Sequence, residues 1–127
     1  MYGNAPDPGV HYAYHDLVCG DWWDGDPGSP TYNTFQHVAC GQAPPFAGNS
    51  EPLWRQPVAY SNFAVVDYNT RQVPGVGSAI FVHADTGAPT AACVALPLAD
   101  LHQLLRWLNP ASSPLIVMGP DSEIRSF

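Results

Sequence analysis

The sequence predicts a mainly β protein: a small sheet or sandwich, one amphipathic helix packed on it, and long irregular loops. Three observations carry this expectation. Two β-rich apolar runs, residues 63–68 (FAVVDY) and 78–83 (SAIFVH), flank a Pro/Gly turn signal at 74–77. Only residues 97–108 carry an apolar stripe at helical spacing. Fourteen Pro and eleven Gly interrupt the rest of the 127 residues too often for long helices.

The elements follow in order. Residues 1–10 are rich in Pro and Gly and are expected to be irregular. Residues 11–18 (HYAYHDLV) alternate aromatic and polar side chains, as a short strand does. Residues 19–51 are a long stretch of turn chemistry that also holds Trp22, Trp23, Tyr32 and Phe35. A loop of that length with such aromatics is expected to form a lid or wall of a site. Regular structure resumes near Val58, with strands at 63–68 and 78–83 and a brief third at 94–96. Pro97 suits the first turn of a helix, and Asp100 complements the positive end of its dipole. Leu101, Leu104, Leu105 and Leu108 form its apolar stripe, and Pro110 stops it. Residues 114–118 (PLIVM) are expected to be a last strand. No internal repeat or domain boundary is visible, so residues 1–127 are read as one domain.

The chain is acidic, with formal net charge −7 and no Lys; its cations are Arg55, Arg71, Arg106 and Arg125. That balance argues against nucleic acid or an anionic membrane surface as partner. No stretch is long enough to span a bilayer, and Met1-Tyr2-Gly3-Asn4 does not begin a signal peptide. Cys19 and Cys40 bracket a turn-rich segment, whereas Cys93 lies elsewhere. The economical reading is one disulfide, Cys19–Cys40, and one free thiol; three buried, reduced cysteines is the alternative. The disulfide would imply an oxidising compartment.

The chemistry concentrates in residues 77–108. His83 ends an apolar run, and Cys93 sits just before a helix, across a short loop with Gly87, Pro89 and Thr90. A thiol needs a nearby base to act as a nucleophile near neutral pH, and His is the usual one. Each residue also has an ordinary explanation: a small buried side chain for Cys93, a satisfied strand-end imidazole for His83. Elsewhere, His11 and His15 would share one side of a helix as metal ligands, but the stretch reads more like a strand, whose alternation points both the same way as surface or cleft-wall residues. Trp22, Trp23 and Tyr32 could line a groove for sugar or peptide, or simply pack the loop. Asp24 and Asp26 lie among Gly and Pro, where a calcium loop is conceivable. Turn chemistry explains Asp67 and Asn69. No metal or cofactor is expected.

The runs GSAIFVH, PTAAC, VALPLADLHQLLRWLNP and PLIVMG, in this order, resemble the L,D-transpeptidase catalytic domain of the YkuD-like fold, in a secreted branch with GSAIF-x-H and PT-x-GC motifs. CGDWWDGDPGSPTYNTFQHVACG and YSNFAVVDYN are also similar to that branch, so the resemblance spans about residues 14–119. It implies Cys93 as nucleophile and His83 as base. Thr90 takes the place of the motif's Ser or Thr, and is expected to shape the turn more than to react. Backbone N–H groups near Cys93, among Thr90, Ala91 and Ala92, would stabilise an oxyanion, a contribution of about 3 kcal/mol per donor in other acyl-transfer enzymes. The implied partner is a peptidoglycan stem peptide, the implied location secreted or wall-associated, and the expected state monomeric. A domain that kept the fold and lost the chemistry is the alternative.

Three departures from the family pattern stand out. Ala92 replaces the Gly before the Cys, at a cost of about 1–2 kcal/mol if that residue takes φ > 0. Ala95 stands where many members carry Arg. No counterpart of the family's first strands precedes Tyr14, so the chain is expected to lack them and to expose a sheet edge.

Overall fold

The computed structural model describes residues 1–126 and is mainly β, with eight short strands and two helices among those residues. The strands are β1 (Tyr2–Gly3), β2 (His15–Asp16), β3 (Asp21–Asp24), β4 (Thr34–His37), β5 (Glu51–Pro52), β6 (Ala64–Val65), β7 (Phe81–Ala84) and β8 (Val94–Leu96). The helices are α1 (Leu98–Trp107) and α2 (Asp121–Ile124). Strands β1 and β2 pair in parallel, β3 lies between β4 and β5, and β7 lies between β6 and β8.

The sheet that carries His83 and leads on from Cys93 is β6–β7–β8. β6 runs antiparallel to β7, while β8 runs parallel to it with Val82 opposite Val94 and His83 opposite Ala95. All four residues of β7 are buried, because both faces of the sheet are covered. Val82 and Ala84 pack with Ala64 and with the fully buried Leu101 and Leu105 of α1. The opposite face carries Phe81 into an aromatic core with Trp23, Tyr60 and Phe63. Trp23 and Tyr60 meet Phe81 edge-to-face at 5.2 and 5.6 Å, a favoured aromatic geometry. The helix is the predicted one: Leu101 and Leu105 form its buried stripe, and Leu98 and Trp107 remain exposed.

The long loop is more ordered than its composition suggests. Residues 19–51 contain β3, β4 and the first residue of β5, held by buried carboxylates. Asp24 is fully buried and accepts from Ser29 Oγ (2.5 Å), Thr31 Oγ1 (2.7 Å) and the Asp26 N–H (2.9 Å). Asp26 accepts from the Gly28 and Ala47 N–H groups, both at 2.9 Å. These carboxylates therefore staple the loop with protein donors. The Cys19–Cys40 disulfide is present and closes β3 and β4 into one ring, which stabilises the fold by about 3 kcal/mol in the chain-entropy picture. Gly20, at φ +100°, takes the chain from the disulfide into β3; a Cβ there would run into the Val38 carbonyl.

Asp21 is the second buried carboxylate. It accepts from the Val18 N–H (2.9 Å) and bonds His15 Nε2 (2.8 Å) and His37 Nδ1 (2.7 Å). Burial alone would raise its pKa, but these partners outweigh burial and hold the carboxyl below its ordinary range. A depressed folded-state pKa gives stability that is present above the unfolded-state value and is lost as pH falls through the folded one. Asp21→Ala is expected to cost about 3 kcal/mol near pH 7, by orphaning its donors. The stability gap between the variant and the parent should narrow in acid below the ordinary carboxylate range. Thermal unfolding of both proteins across pH checks this, and a gap that widens in acid would contradict it.

Three expectations are corrected. Residues 1–10 are not wholly irregular: β1 pairs with β2, and Tyr2 also bridges Phe63. Within 11–18 only His15 and Asp16 are strand, and His15 is committed to Asp21. Residues 114–118 form no strand; Leu115, Ile116, Val117 and Met118 are exposed with no sheet partner among the described residues. β-propensity reports fit to a half-buried pleated surface, and nothing here provides one. No helix among the described residues is long and apolar enough to cross a membrane.

Candidate functional site

Parallel register brings Cys93 and His83 to one face. Val82 lies opposite Val94, so Cys93, one residue earlier, lies beside Phe81, and the period of two puts Phe81, His83, Cys93 and Ala95 on the same side of the sheet. The packing agrees, because Cys93 is half-buried against the aromatic core that contains Phe81 and Ala79. His83 and Cys93 are thus diagonal neighbours on one face of adjacent strands. Both side chains line one open groove of about 730 Å³.

The imidazole is held in a defined way. His83 is 7% exposed, and its Nδ1 lies 2.8 Å from the Ala84 carbonyl oxygen. A carbonyl only accepts, so Nδ1 carries a proton and donates; in the neutral ring Nε2 then holds the lone pair. The Tyr60 ring stands edge-to-face on the imidazole at 5.6 Å and 84°. Backbone and aromatic ring together fix the tautomer and plane that a general base requires.

The sulfur rests on the backbone. Cys93 Sγ donates to the Ala79 carbonyl at 3.4 Å, and among the described residues no hydrogen bond joins it to His83. Burial pushes the thiol above its ordinary value; the nearby Glu51 carboxylate pushes the same way, and the Phe81 N–H pulls it down. These influences keep Cys93 in its thiol form near neutral pH.

The loop before Cys93 is ordinary in backbone. Ala92 is absent from the positive-φ residues, so a methyl group there incurs no left-handed strain. Thr90 Oγ1 donates to the Cys93 carbonyl at 2.6 Å, closing a local turn. Thr90, Ala91 and Ala92 all line the groove and are exposed.

Strain is stored one layer below, at Ala79. This residue is buried with φ 55°, a left-handed conformation that costs a non-glycine residue about 1–2 kcal/mol. Asn33, itself at φ 57°, holds it there: Asn33 Oδ1 accepts from the Ala79 N–H (3.0 Å) and from Trp23 Nε1 (3.1 Å). Its Nδ2 donates to the carbonyls of Tyr68 (3.0 Å) and Asn69 (3.1 Å). The side chain is fully used in orienting the residue whose carbonyl receives the Cys93 S–H.

Glu51 and Tyr60 complete the wall. The Tyr60 hydroxyl donates to Glu51 Oε2, and both residues line the groove. Burial raises the Glu51 carboxyl above its ordinary value, while Tyr60 and His83 oppose that shift. Burial, and then Glu51, push the Tyr60 phenol far up, so it stays a neutral donor. Among the groove-lining residues Glu51 is the one Asp, Glu, Lys or Arg. Glu51→Gln is therefore expected to move the pH profile of Cys93 alkylation by iodoacetamide to lower pH, since a neutral amide removes one influence that raises the thiol. A profile that stays put or moves upward would contradict that coupling.

The aromatic residues singled out in the sequence separate. Tyr32 lines this groove, Trp23 is buried in the core, and Trp22 faces a different groove with Trp54. Glu51, Tyr60 and Asn33 carry no local motif; only a residue-by-residue reading of loop polar groups would have flagged them. Comparison with protein-family models, with curated proteins and with solved structures finds no match to this chain.

Proposed function

We propose that the chain is a cysteine acyltransferase acting on peptidoglycan stem peptides, an L,D-transpeptidase-like activity through a Cys93 thioester. One observation carries the proposal: a half-buried thiol and a tautomer-fixed imidazole on the same face of one sheet, both opening on one groove. The motif resemblance supplies the substrate class.

The reaction balances with these residues alone. Cys93 Sγ attacks the carbonyl carbon of the amide before a terminal D-alanine as its proton passes to His83 Nε2. The imidazolium then protonates the departing amine, and the C–N bond breaks to leave a thioester. An amine on a second stem attacks that thioester, its proton passes to Nε2, and the thiolate leaves and is reprotonated. The Ala84 carbonyl steadies the ring through both charge states by accepting from Nδ1. Backbone N–H groups around Cys93, in the 90–92 turn, are the available oxyanion donors. The disulfide supports a location outside the cytoplasm, where such bonds persist.

A second reading, a groove that binds stem peptide without turning it over, is favoured by the sulfur's bond to the Ala79 carbonyl and its raised pKa. Incubation with a tetrapeptide stem, with and without an acceptor amine, separates the two. Release of D-alanine that Cys93→Ala abolishes supports catalysis. Stem binding without release, by a protein whose thiol is free, supports the binding domain.

A further inference from the structure

A second groove of about 470 Å³ runs along the Cys19–Cys40 disulfide and is lined by Trp22 and Trp54. The two indoles meet at 5.3 Å and 78°, and the Arg55 guanidinium carbon lies 5.3 Å from the Trp54 ring centroid. Both tryptophans are half-buried and Arg55 is exposed. Trp23 spends its indole N–H on Asn33, whereas those of Trp22 and Trp54 have no protein acceptor among the described residues. Arg55 likewise enters none of the ion pairs among those residues. No Asp or Glu lines the groove, in a chain whose formal net charge is −7.

We propose that this groove binds an N-acetylated saccharide chain. The groove offers aromatic surface, indole and guanidinium donors and no carboxylate, so its complement has an apolar face and neutral oxygens that accept. A pyranose ring has both: its C–H face stacks on an indole, and its oxygens take N–H groups. An acetamido carbonyl is the strong neutral acceptor that suits a guanidinium already positioned on an aromatic face. Ala43 and Pro44 supply an apolar wall for the acetyl methyl. The net negative charge disfavours a polyanion such as nucleic acid as the alternative acceptor-rich ligand. The segment 51–56 also joins the two grooves: Glu51 and Gln56 line the first, Trp54 and Arg55 the second. The site does not depend on the chemistry assigned to Cys93.

The test is titration of the full chain with chitotetraose, read by tryptophan fluorescence and calorimetry, beside cellotetraose, which has the same ring without the acetamido group. Saturable binding of chitotetraose, weaker for cellotetraose and unchanged in Cys93→Ala, is expected. Arg55→Gln, an exposed substitution that leaves the fold alone, is expected to weaken it about fivefold, and Trp54→Ala more. Absence of saturable binding would overturn the proposal. So would equal binding of the two sugars, or binding that Arg55→Gln leaves unaltered.

Discussion

His83→Gln is expected to slow acylation of Cys93 by about a hundredfold or more, the usual contribution of a positioned general base. Gln retains an amide that can donate toward the Ala84 carbonyl, so the strand keeps a partner at that point. What it lacks is the second nitrogen with a free lone pair. The loss should be largest where Cys93 is a thiol and needs its proton removed, and should shrink at high pH, where hydroxide does that work. The direction follows from the raised thiol: the thiolate is scarce at neutral pH and grows as pH rises through the shifted value. Acylation rates of parent and variant across pH, with circular dichroism to confirm folding, decide the matter. Rates within about threefold of each other at neutral pH would remove His83 from the mechanism.

Asn33→Ala is expected to have the second largest effect, because one amide satisfies four backbone and side-chain partners. At about 1 kcal/mol net per hydrogen bond, the loss is about 3 kcal/mol once water replaces some of them. A purely structural role would stop there. The positioning role adds a second readout. Without the Oδ1 acceptor, Ala79 is free to leave its left-handed conformation, and its carbonyl turns from the sulfur. The pH profile of Cys93 alkylation should therefore move in folded Asn33→Ala protein. Asn33→Asp keeps the acceptor and adds a carboxylate, which acts on the thiol in the same sense as Glu51, so its profile should lie at or above the parent's in pH and not follow that of Asn33→Ala. Identical profiles for all three proteins would show that Ala79 does not govern the thiol.

The parts of this fold that the sequence announces are those where one local pattern decides. β7 is legible because an apolar run has to be buried on both faces, and α1 because Leu101 and Leu105 recur at helical spacing under a Pro start. The Cys19–Cys40 disulfide is the economical reading of three cysteines in two contexts, and the structure forms it. β3 was not legible: its sequence, DWWD, places two carboxylates at fully buried positions, satisfied by His, Ser and Thr side chains from neighbouring turns. Nothing local marks an Asp whose partners arrive from the fold. The converse failure is PLIVM, whose composition suits a strand but whose backbone finds no partner among the described residues.

The site divides in the same way. Cys93 and His83 stand out in the sequence as a thiol and an imidazole on either side of a short loop, but His83 lies inside β7 and Cys93 leads into β8 rather than the helix, and parallel register sets them on one face. Asn33, Glu51 and Tyr60 reach that face from segments far away in the chain, by turns that the sequence does not specify. Ala92 is not left-handed, so the backbone strain expected of an Ala at that position is absent.

The most direct test of the proposed nucleophile is intact-mass spectrometry of the reduced-thiol, disulfide-intact protein after incubation with a carbapenem. Attack by Cys93 Sγ on the lactam carbonyl opens the ring and retains the whole molecule, so the expected result is a gain of one carbapenem mass, mapped to Cys93 and absent in Cys93→Ala. A folded protein whose Cys93 still reacts with iodoacetamide but acquires no carbapenem would contradict it.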